Sequence, residues 1–502
     1  MKVVFLVDEI HISAEKTIEI YNQGPEAVVD LVKELCAGFN ALRAIVLEQT
    51  QSSLEMKVKI IELEARLKMN SNNSSKPPSS DGYKKPKVTN RREKSGRKTG
   101  AQFGHEGTTL NKVENPDRKI EIKVPDFCEC GKDLREVVGN LKTRQVFDIP
   151  PINKIEVTEF IAEEKVCTIC GKIHKAEFPT TVTQPTQYGA NMKTLMAYFN
   201  DYQFLPLQRT VEAILDITGQ KVSEGTIVNT GLHLQSSLKD TLATIKDDII
   251  HSDVVHFDET GVRVDGELQW IHVASTETET YYEVHAKRGG AAMKDIGILP
   301  NFTGTSVHDH WKPYYTYKDC THGECNAHNI RYLKDIHVNY EHEWASSMIG
   351  FLVELNRRIK ALKSEGLTQM ESQEMEQWLK RYHNTILEGI IEDDEKSPKL
   401  FNKRGDLKKS KALQLLYKLQ EYDIETLAFM YDFNVPFDNN LAERDLRMQK
   451  LRQKISGCFR GENSAQVFCD IRSYISTMKK RGQTALEAIR NIITGEPVPS
   501  KV

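Results

Sequence analysis

The chain has 502 residues, of which 68 are basic, 71 are acidic and 39% are hydrophobic, with a formal charge of −3. This is the composition of a multidomain globular protein, and the mean hydropathy of −0.49 argues against a membrane protein. Nine cysteines are too few for a secreted disulfide framework, and the apolar run at 3–7 is too short for a signal peptide, so we expect a cytoplasmic protein with reduced thiols.

Residues 1–26 carry no pattern that we can assign. Residues 27–69 predict one long helix with an apolar heptad repeat. The a and d positions, eight of ten of them apolar, are Leu35, Phe39, Leu42, Val46, Gln49, Ser53, Met56, Ile60, Leu63 and Leu67. The repeat favours a coiled coil that makes the protein a homo-oligomer. An amphipathic helix packed on its own domain would show the same repeat.

Residues 70–124 predict a flexible basic arm. The tract at 70–82 is polar and rich in Pro, Ser and Asn, so it cannot bury enough apolar surface to fold. Ten Lys and Arg against three acids over 76–112 suit phosphate neutralisation on DNA without sequence readout. A solvated linker is the alternative. The candidate DNA contacts are Lys84, Lys85, Lys87, Arg91, Arg92, Arg97 and Lys98.

Residues 125–180 contain two cysteine pairs, each followed by Gly-Lys as in zinc knuckles. The four thiols are Cys128, Cys130, Cys167 and Cys170. Four soft ligands suit a tetrahedral structural Zn²⁺. The first pair is one residue shorter than the usual C-x-x-C, so core cysteines or a degenerate knuckle are the alternative, with His174 as a reserve ligand.

Residues 181–248 predict helices. Within them, a helix over 209–217, a turn over 218–221 and a second helix starting near Ser223 form a helix-turn-helix pattern. The pattern suits entry into a DNA major groove, and an ordinary helical hairpin is equally compatible with it.

Residues 249–338 change to β periodicity, with a type I′ hairpin signal at Asp265-Gly266. The predicted elements are strands over 253–264, 268–275, 280–286, 305–309 and 323–327, a short helix over 289–299, and a final helix containing Arg331 and Leu333. This order is the skeleton of a ribonuclease-H-like core. The fold class predicted for the whole chain is multidomain α+β, with this core, an inserted all-helical domain, a coiled coil and a small zinc-knuckle domain.

Two carboxylates occupy the functional places of that skeleton: Asp258 on the apolar first strand and Asp309 at the end of the fourth. A carboxylate is costly to bury unless it is paired or bound to a cation. Oxygen ligands favour Mg²⁺ or Mn²⁺, so the pair predicts a divalent metal site. The acids set aside at this point are Asp253, Glu259, Asp265 and Glu267.

Residues 339–434 predict a helical insertion, with helices over 344–362, 371–392 and 411–429. Residues 435–502 then complete the core and supply a third acid, Glu443. Spacing alone also allows a structural role, because Asn440 and Glu443 form a capping-box pattern and Glu443 and Arg447 form an i,i+4 pair. The basic residues that follow suit phosphate contacts, and they are Arg444, Arg447, Lys450, Arg452, Lys454 and Arg460.

Over roughly 30–490 the chain resembles the large transposase of insertion-sequence-66 type elements, a DDE transposase. The features that carry the resemblance are Asn72-Asn73-Ser74-Ser75-Lys76-Pro77-Pro78-Ser79-Ser80-Asp81 after a coiled coil, the two knuckles, Val222-Ser223-Glu224-Gly225-Thr226, Asp258-Glu259-Thr260, Cys325-Asn326-Ala327-His328, and Asn439-Asn440-Leu441-Ala442-Glu443-Arg444 through Ser456-Gly457-Cys458-Phe459-Arg460. The resemblance implies that Asp258, Asp309 and Glu443 hold two Mg²⁺ (or Mn²⁺) ions, with Asp258 bridging them, for cleavage at element ends and strand transfer to target DNA.

The resemblance also implies double-stranded DNA as partner, with phosphate contacts from Arg444, Arg452, Lys454 and Arg460, and suggests small accessory proteins of the same element. The location it implies is the bacterial cytoplasm, at the nucleoid when DNA is bound. Two alternatives stay open: a catalytically silent DNA-binding or assembly protein, and a nuclease of the same fold that only hydrolyses. For the nearby histidines His308, His310 and His328 we expect packing roles rather than catalytic ones.

Overall fold

The computed structural model of the chain describes residues 13–68, 112–136, 143–147, 155–166, 168–170, 172–398, 400–401, 407–461 and 463–495. The protein is a mixed α+β protein that divides into two compact units. The first takes its described residues from 13–68, 242–451 and 458–469. The second takes them from 112–241, 452–457 and 470–495.

The helices of the described residues are α1 (Ala14–Asn22), α2 (Pro25–Lys68), α3 (Ala190–Ala197), α4 (Leu207–Thr218), α5 (Glu224–Ser237), α6 (Lys239–Ile250), α7 (Gly290–Ile296), α8 (Asn326–Tyr340), α9 (Glu343–Ser364), α10 (Ser372–Lys396), α11 (Lys411–Glu421), α12 (Asp423–Thr426), α13 (Ala428–Tyr431), α14 (Asn440–Ser456), α15 (Ser464–Lys480) and α16 (Ala485–Thr494). The strands are β1 (Glu164–Val166), β2 (Ile173–Lys175), β3 (Val254–Val264), β4 (Glu267–Ser275), β5 (Thr280–His285), β6 (Thr305–His308), β7 (Thr321–Glu324), β8 (Leu400–Phe401) and β9 (Leu407–Lys408). Within this part of the chain, no helix combines the length and apolar character needed to cross a membrane.

A five-stranded mixed sheet with the order β5-β4-β3-β6-β7 forms the centre of the first unit. The three strands β3, β4 and β5 pair antiparallel, whereas β6 and β7 run parallel to β3. Both turn residues between β3 and β4 have positive φ, 48° for Asp265 and 89° for Gly266, as the predicted type I′ hairpin requires. All five predicted strands are present, with bounds shifted by a few residues.

The helices of the same unit pack around their own apolar core. Buried side chains of α8 to α11 and of α13 meet there, among them Leu333, Met348, Phe351 and Leu416. The helices predicted over 344–362 and 371–392 are α9 and α10. The single helix predicted over 411–429 is wrong: the backbone leaves helical geometry at Tyr422, and three short helices, α11 to α13, replace it.

Helix α2 runs for 44 residues, close to the bounds predicted for the coiled coil. Its apolar heptad side chains are largely exposed, for example Phe39 at 70%, Leu42 at 54% and Met56 at 60%, whereas Ala65 near its end is buried. Most of the helix therefore presents an apolar repeat that no other described residue of the chain covers.

The second unit contains the predicted helix-turn-helix pattern as α4 and α5. Gly219 ends α4 in the left-handed conformation, with φ of 71°, and the Ser223 hydroxyl caps α5 by accepting a hydrogen bond from the Thr226 amide at 3.1 Å. The two helices share a core with α3 that includes Met196, Ile214 and Ile227.

Candidate active site

Asp258 lies near the middle of β3, the central strand of the sheet. Its neighbours Val255 and Phe257 are buried, and β4 pairs with it through Val273. Parallel pairing with β6 stops at His256, which lies opposite Val307. Extending that register by two residues sets Asp309 opposite Asp258, so the two acids lie at the same edge of the sheet.

The electrostatic environment of Asp258 shows which acids surround it. Burial raises the pKa of this carboxyl well above its usual range, and the negative charges of Glu259, Asp309 and Glu443 raise it further. One hydrogen bond, from the Glu259 amide at 2.9 Å, acts in the opposite direction. Asp258, Asp309 and Glu443, three acids predicted from distant parts of the sequence, therefore interact at one partly buried position of β3.

Asp309 follows the last residue of β6. Its Oδ1 accepts a hydrogen bond from the Trp311 amide at 3.0 Å. Burial and the charge of Glu259 raise the pKa of Asp309, against the opposing effects of that hydrogen bond and of Arg288 and Lys418. Ionisation of Asp309 therefore costs free energy unless a cation lies nearby.

Glu443 lies in the first turn of α14, where its amide donates to the Asn439 carbonyl at 3.2 Å. Oε2 is 3.7 Å from the Arg331 guanidinium, and Oε1 is 3.7 Å from Nδ1 of His328. Oε1 is shielded from solvent and has no hydrogen-bond partner among the described residues. The ion pair expected with Arg447 is replaced by the longer-range contact with Arg331.

Asn439 holds the start of α14 against β3, and sequence reasoning did not single it out. Its side-chain nitrogen donates to the Phe257 carbonyl at 2.7 Å, and its side-chain oxygen lies 2.8 Å from Nδ1 of His256. The helix begins at Asn440, so the capping-box alternative for Asn440 does not describe this helix start. The only local signal for this role of Asn439 was the Asn439-Asn440 pair after an apolar segment.

Glu259, one of the acids set aside, is a second buried carboxylate beside the site. Arg288 donates to its Oε1 from Nε at 2.9 Å and from a terminal nitrogen at 2.7 Å, and the Tyr314 hydroxyl donates to its Oε2 at 2.6 Å. The Arg288 guanidinium also lies over the rings of Trp270 and Trp311, at 4.9 and 4.2 Å. Glu259 is thus already neutralised by protein groups, unlike Asp258.

A further buried carboxylate, Glu324, ends β7. It accepts hydrogen bonds from His310, and from Tyr315 at 2.6 Å, and lies 3.2 Å from the Lys418 ammonium. Burial opposes its ionisation, but the His310 hydrogen bond and the Lys418 charge outweigh this and lower its pKa to about 2. Glu324 and Lys418 therefore form a buried ion pair next to the site.

The three histidines of this region have different surroundings. His308 is fully buried, stacks on Tyr314 with ring centroids 4.4 Å apart and lies 3.0 Å from the His322 ring nitrogen; burial lowers its pKa to about 3. His310 bonds to Glu324. His328 is the exception, because its Nδ1 faces Glu443 without a hydrogen-bond partner in the described structure.

Comparison with protein-family models identifies the chain. The model of the Transposase IS66 family matches residues 185–467, more than half of the sequence. The chain belongs to the Transposase IS66 family. A second model, for a family of unknown function (DUF6444), matches residues 25–111. The comparison with curated proteins gave no match.

The other predicted sites of this IS66-family transposase are described only in part. Of the candidate DNA contacts, Arg444, Lys454 and Arg460 are exposed, whereas Arg452 is partly buried and its charge acts on the Asp201 carboxyl. The arm residues Lys84, Lys85, Lys87, Arg91, Arg92, Arg97 and Lys98 lie outside the described residues.

The knuckle thiols Cys128, Cys130 and Cys170 are exposed, and Cys167 lies outside the described residues. The first knuckle makes a tight turn, in which the Gly131 amide donates to the Cys128 carbonyl at 2.7 Å. Hydrogen bonds from the Lys132 amide and the Cys128 side chain lower the pKa of Cys130. Of the second pair, Cys170 lies in a described turn over 168–170, between the paired strands β1 and β2. The four-thiol set stays a prediction.

Proposed function

We propose that this IS66-family transposase cuts DNA at the ends of its element and joins those ends to target DNA by DDE chemistry. Asp258, Asp309 and Glu443 are the three acids in this proposal. The observation that carries it is the register of β3 and β6, which sets Asp309 opposite Asp258, together with the charges of Asp309 and Glu443, which both oppose ionisation of the partly buried Asp258 carboxyl. Such a cluster is stable in its ionised form only when cations are bound.

The sheet order supports the same proposal. A central β3 flanked by the β4–β5 meander on one side and by parallel β6 and β7 on the other is the arrangement expected of a ribonuclease-H-like core. In this arrangement acids at the middle of β3 and just after β6 share one edge of the sheet. Glu443, from the first turn of α14, would complete the set.

The donor chemistry suits hard divalent cations. Carboxylate oxygens are the ligands that Mg²⁺ and Mn²⁺ prefer, and we assign Asp258, Asp309 and Glu443 as ligands of two such ions. When bound, the ions would activate water or a DNA 3′-hydroxyl and stabilise the leaving oxygen. The chain's own residues position the acids: Asn439 holds the Glu443 helix on β3, and the Trp311 amide orients Asp309.

DNA binding is the second part of the proposal. Exposed Arg444, Lys454 and Arg460 would contact phosphates, together with Arg452 and the arm at 84–98. The helix-turn-helix of α4 and α5 and the zinc-bound knuckles would recognise element ends. The exposed heptad repeat of α2 would pair protomers, so that two ends are held together. Accessory proteins and a nucleoid-associated cytoplasmic location remain predictions.

A cleavage assay tests the enzyme assignment. An oligonucleotide carrying the element end, with Mg²⁺ or Mn²⁺, should be cut by the wild-type chain and not by Asp258→Asn, Asp309→Asn or Glu443→Gln. If the wild-type chain does not cut, the protein is a DNA-binding or assembly factor instead. If all three variants cleave normally, Asp258, Asp309 and Glu443 are not the catalytic acids. If cut ends are never joined to a target strand, it is a hydrolytic nuclease. Elemental analysis of a Cys167→Ser/Cys170→Ser variant, which should lose one zinc per chain, tests the knuckles.

A further inference from the structure

Three potential metal ligands meet between the first turns of two helices. Cys325 immediately precedes α8, His328 lies one turn later on the same side of that helix, and Glu443 lies in the first turn of α14. One ligand atom from each, the Cys325 sulfur, a His328 ring nitrogen and a Glu443 carboxylate oxygen, lie within 4.8 Å of one another. Among the described residues this is the one group of three or more His, Cys, Asp and Glu side chains with that geometry.

The atoms that face one another lack partners. Nδ1 of His328 and Oε1 of Glu443 are both shielded from solvent and without hydrogen bonds among the described residues. Their separation of 3.7 Å is too long for a hydrogen bond. A neutral imidazole has one ring nitrogen with a free lone pair, and such a nitrogen is a common metal ligand. A ring nitrogen and a carboxylate oxygen that face each other without partners can both serve as ligands of one cation placed between them.

The separations fit a small tetrahedral ion. Ligands at about 2.0–2.3 Å from Zn²⁺ stand roughly 3.3–3.8 Å apart at tetrahedral angles. The 3.7 Å between His328 and Glu443 is within that range. The ligand atoms of the whole group lie within 4.8 Å of one another, so the three side chains would draw together when the metal binds. The site is also rigidly supported, because the Asn439 amide donates to the Cys325 sulfur at 3.2 Å and the Asn326 amide donates to the Phe437 carbonyl at 3.1 Å.

The donor set selects the class of metal. Thiolate and imidazole ligands favour Zn²⁺ and similar borderline metals over Mg²⁺, and the fourth position is left for water. We propose that Cys325, His328 and Glu443 form a Zn²⁺ site next to the carboxylate cluster, and that Zn²⁺ bound there withdraws Glu443 from the Mg²⁺ ions. Binding releases the thiol proton of Cys325 to solvent. The withdrawal of Glu443 from the Mg²⁺ ions rests on the proposed function, whereas the zinc site does not.

The test begins with binding, which needs no activity. Full-length wild type is dialysed against micromolar ZnCl₂, and bound zinc is counted by elemental analysis. Cys325→Ser should bind one zinc per chain fewer than wild type, and His328→Asn serves as a second variant should Cys325→Ser fail to fold by circular dichroism. Cys320→Ser is the matched control, because Cys320 is buried nearby but outside the group. Equal zinc content in wild type and both variants would overturn the site.

The second measurement is Mg²⁺-dependent cleavage titrated with Zn²⁺. Zn²⁺ should inhibit wild type and the Cys320→Ser control at the concentration that fills the site, and Cys325→Ser should need at least about tenfold more. Inhibition identical in wild type and Cys325→Ser would overturn the competition for Glu443. If wild type binds the extra zinc but never cleaves DNA under any condition, the metal site stands and the proposed function fails.

Discussion

The side-chain oxygen of Asn439 lies 2.8 Å from Nδ1 of His256, and this contact joins the helix that carries Glu443 to the strand that carries Asp258. The same side chain donates to the Phe257 carbonyl at 2.7 Å. Both partners are buried and lie more than 180 residues away in the sequence. Asn439 is therefore a positioning residue that sets where the third acid stands relative to the first.

Replacing Asn439 should uncouple the acids. Asn439→Ala removes the hydrogen bond to the Phe257 carbonyl and the contact with Nδ1 of His256, which costs about 1–3 kcal/mol in the free energy of unfolding. Asn439→Asp keeps the shape but turns the donor into an acceptor facing the Phe257 carbonyl, so we expect it to be at least as damaging. Denaturant unfolding and cleavage assays measure both effects. Asn440→Ala, at an exposed neighbour, is the control. Equal losses of stability and cleavage in that variant would contradict the positioning role of Asn439.

The sheet was predictable because its signals are local. Alternating apolar residues and the Asp265-Gly266 turn define the β3–β4 hairpin, and the structure has both. Interruptions of a helix that are caused by contacts with residues distant in sequence were not predictable. The helix expected over 411–429 ends at Tyr422, whose ring contacts His310, and the carbonyl of Thr426 accepts a hydrogen bond from the Asn326 side chain at 2.8 Å.

The same distinction applies to the site. Asp258 and Asp309 could be chosen because one lies on a predicted apolar strand and the other ends a predicted strand. Glu443 needed the family resemblance, since its spacing also suits a helix start. The partners of Glu259 could not be foreseen, because Arg288 and Tyr314 lie 29 and 55 residues away. Neither could the meeting of Cys325 and His328 with Glu443, which depends on how α8 and α14 pack.

Asp258→Asn should abolish cleavage and yet stabilise the metal-free protein. The folded state raises the pKa of Asp258, so it binds a proton more tightly than the unfolded state, and this group's contribution to stability is lost as the pH rises. Asparagine carries no charge, so the repulsion from Glu259, Asp309 and Glu443 is removed. Its side-chain oxygen still accepts the hydrogen bond from the Glu259 amide. Cleavage should fall on the order of a hundredfold or more.

Melting temperatures at pH 8 measure the effect of Asp258→Asn on the stability of the metal-free protein. In EDTA, Asp258→Asn should melt above wild type, and Mg²⁺ should raise the melting temperature of wild type more than that of the variant. Asp253→Asn removes an exposed carboxylate just before the same strand and should change neither value. A variant that melts below wild type in EDTA would mean that Asp258 is stabilised by the apo structure.

Glu259 should behave as a structural acid, because Arg288 and Tyr314 already satisfy it. Arg288→Ala leaves the Glu259 carboxylate, which is 2% exposed, with the Tyr314 hydrogen bond but without its cationic partner, and should destabilise the protein by about 3 kcal/mol. Glu259→Gln should cost less in stability and leave cleavage within about tenfold of wild type, unlike Asp258→Asn. The double variant should cost less than the sum of the two single changes. Complete loss of cleavage in Glu259→Gln would instead make Glu259 a metal ligand.

A charge placed in the heptad repeat of α2 should separate the protomers. Leu42 is a d-position side chain with 54% exposure, and Leu42→Lys would bury like charges in a coiled-coil seam. Light scattering should show a smaller species, with end pairing lost and cleavage of a single end kept. Glu48→Lys introduces the same residue outside the seam and should leave the mass unchanged. An unchanged mass for Leu42→Lys would assign the exposed repeat to a different partner.

Asp201 in the second unit should make that unit less stable as the pH rises. Its Oδ2 is shielded from solvent without a hydrogen bond among the described residues, and burial raises its pKa to about 7 despite the charge of Arg452. The carboxyl is therefore protonated in the folded state at pH 5 and must ionise against burial above pH 7, at a cost of at most about 4 kcal/mol relative to an ordinary aspartate. Asp201→Asn should exceed wild type in thermal melting by a small margin at pH 5 and by a larger margin at pH 8, because wild type loses stability between about pH 4, where the unfolded-state carboxyl ionises, and about pH 7. Asp216→Asn, at an exposed acid of the same unit, is the control and should melt like wild type at both pH values. An Asp201→Asn advantage that is equal at pH 5 and pH 8 would contradict the titration of Asp201.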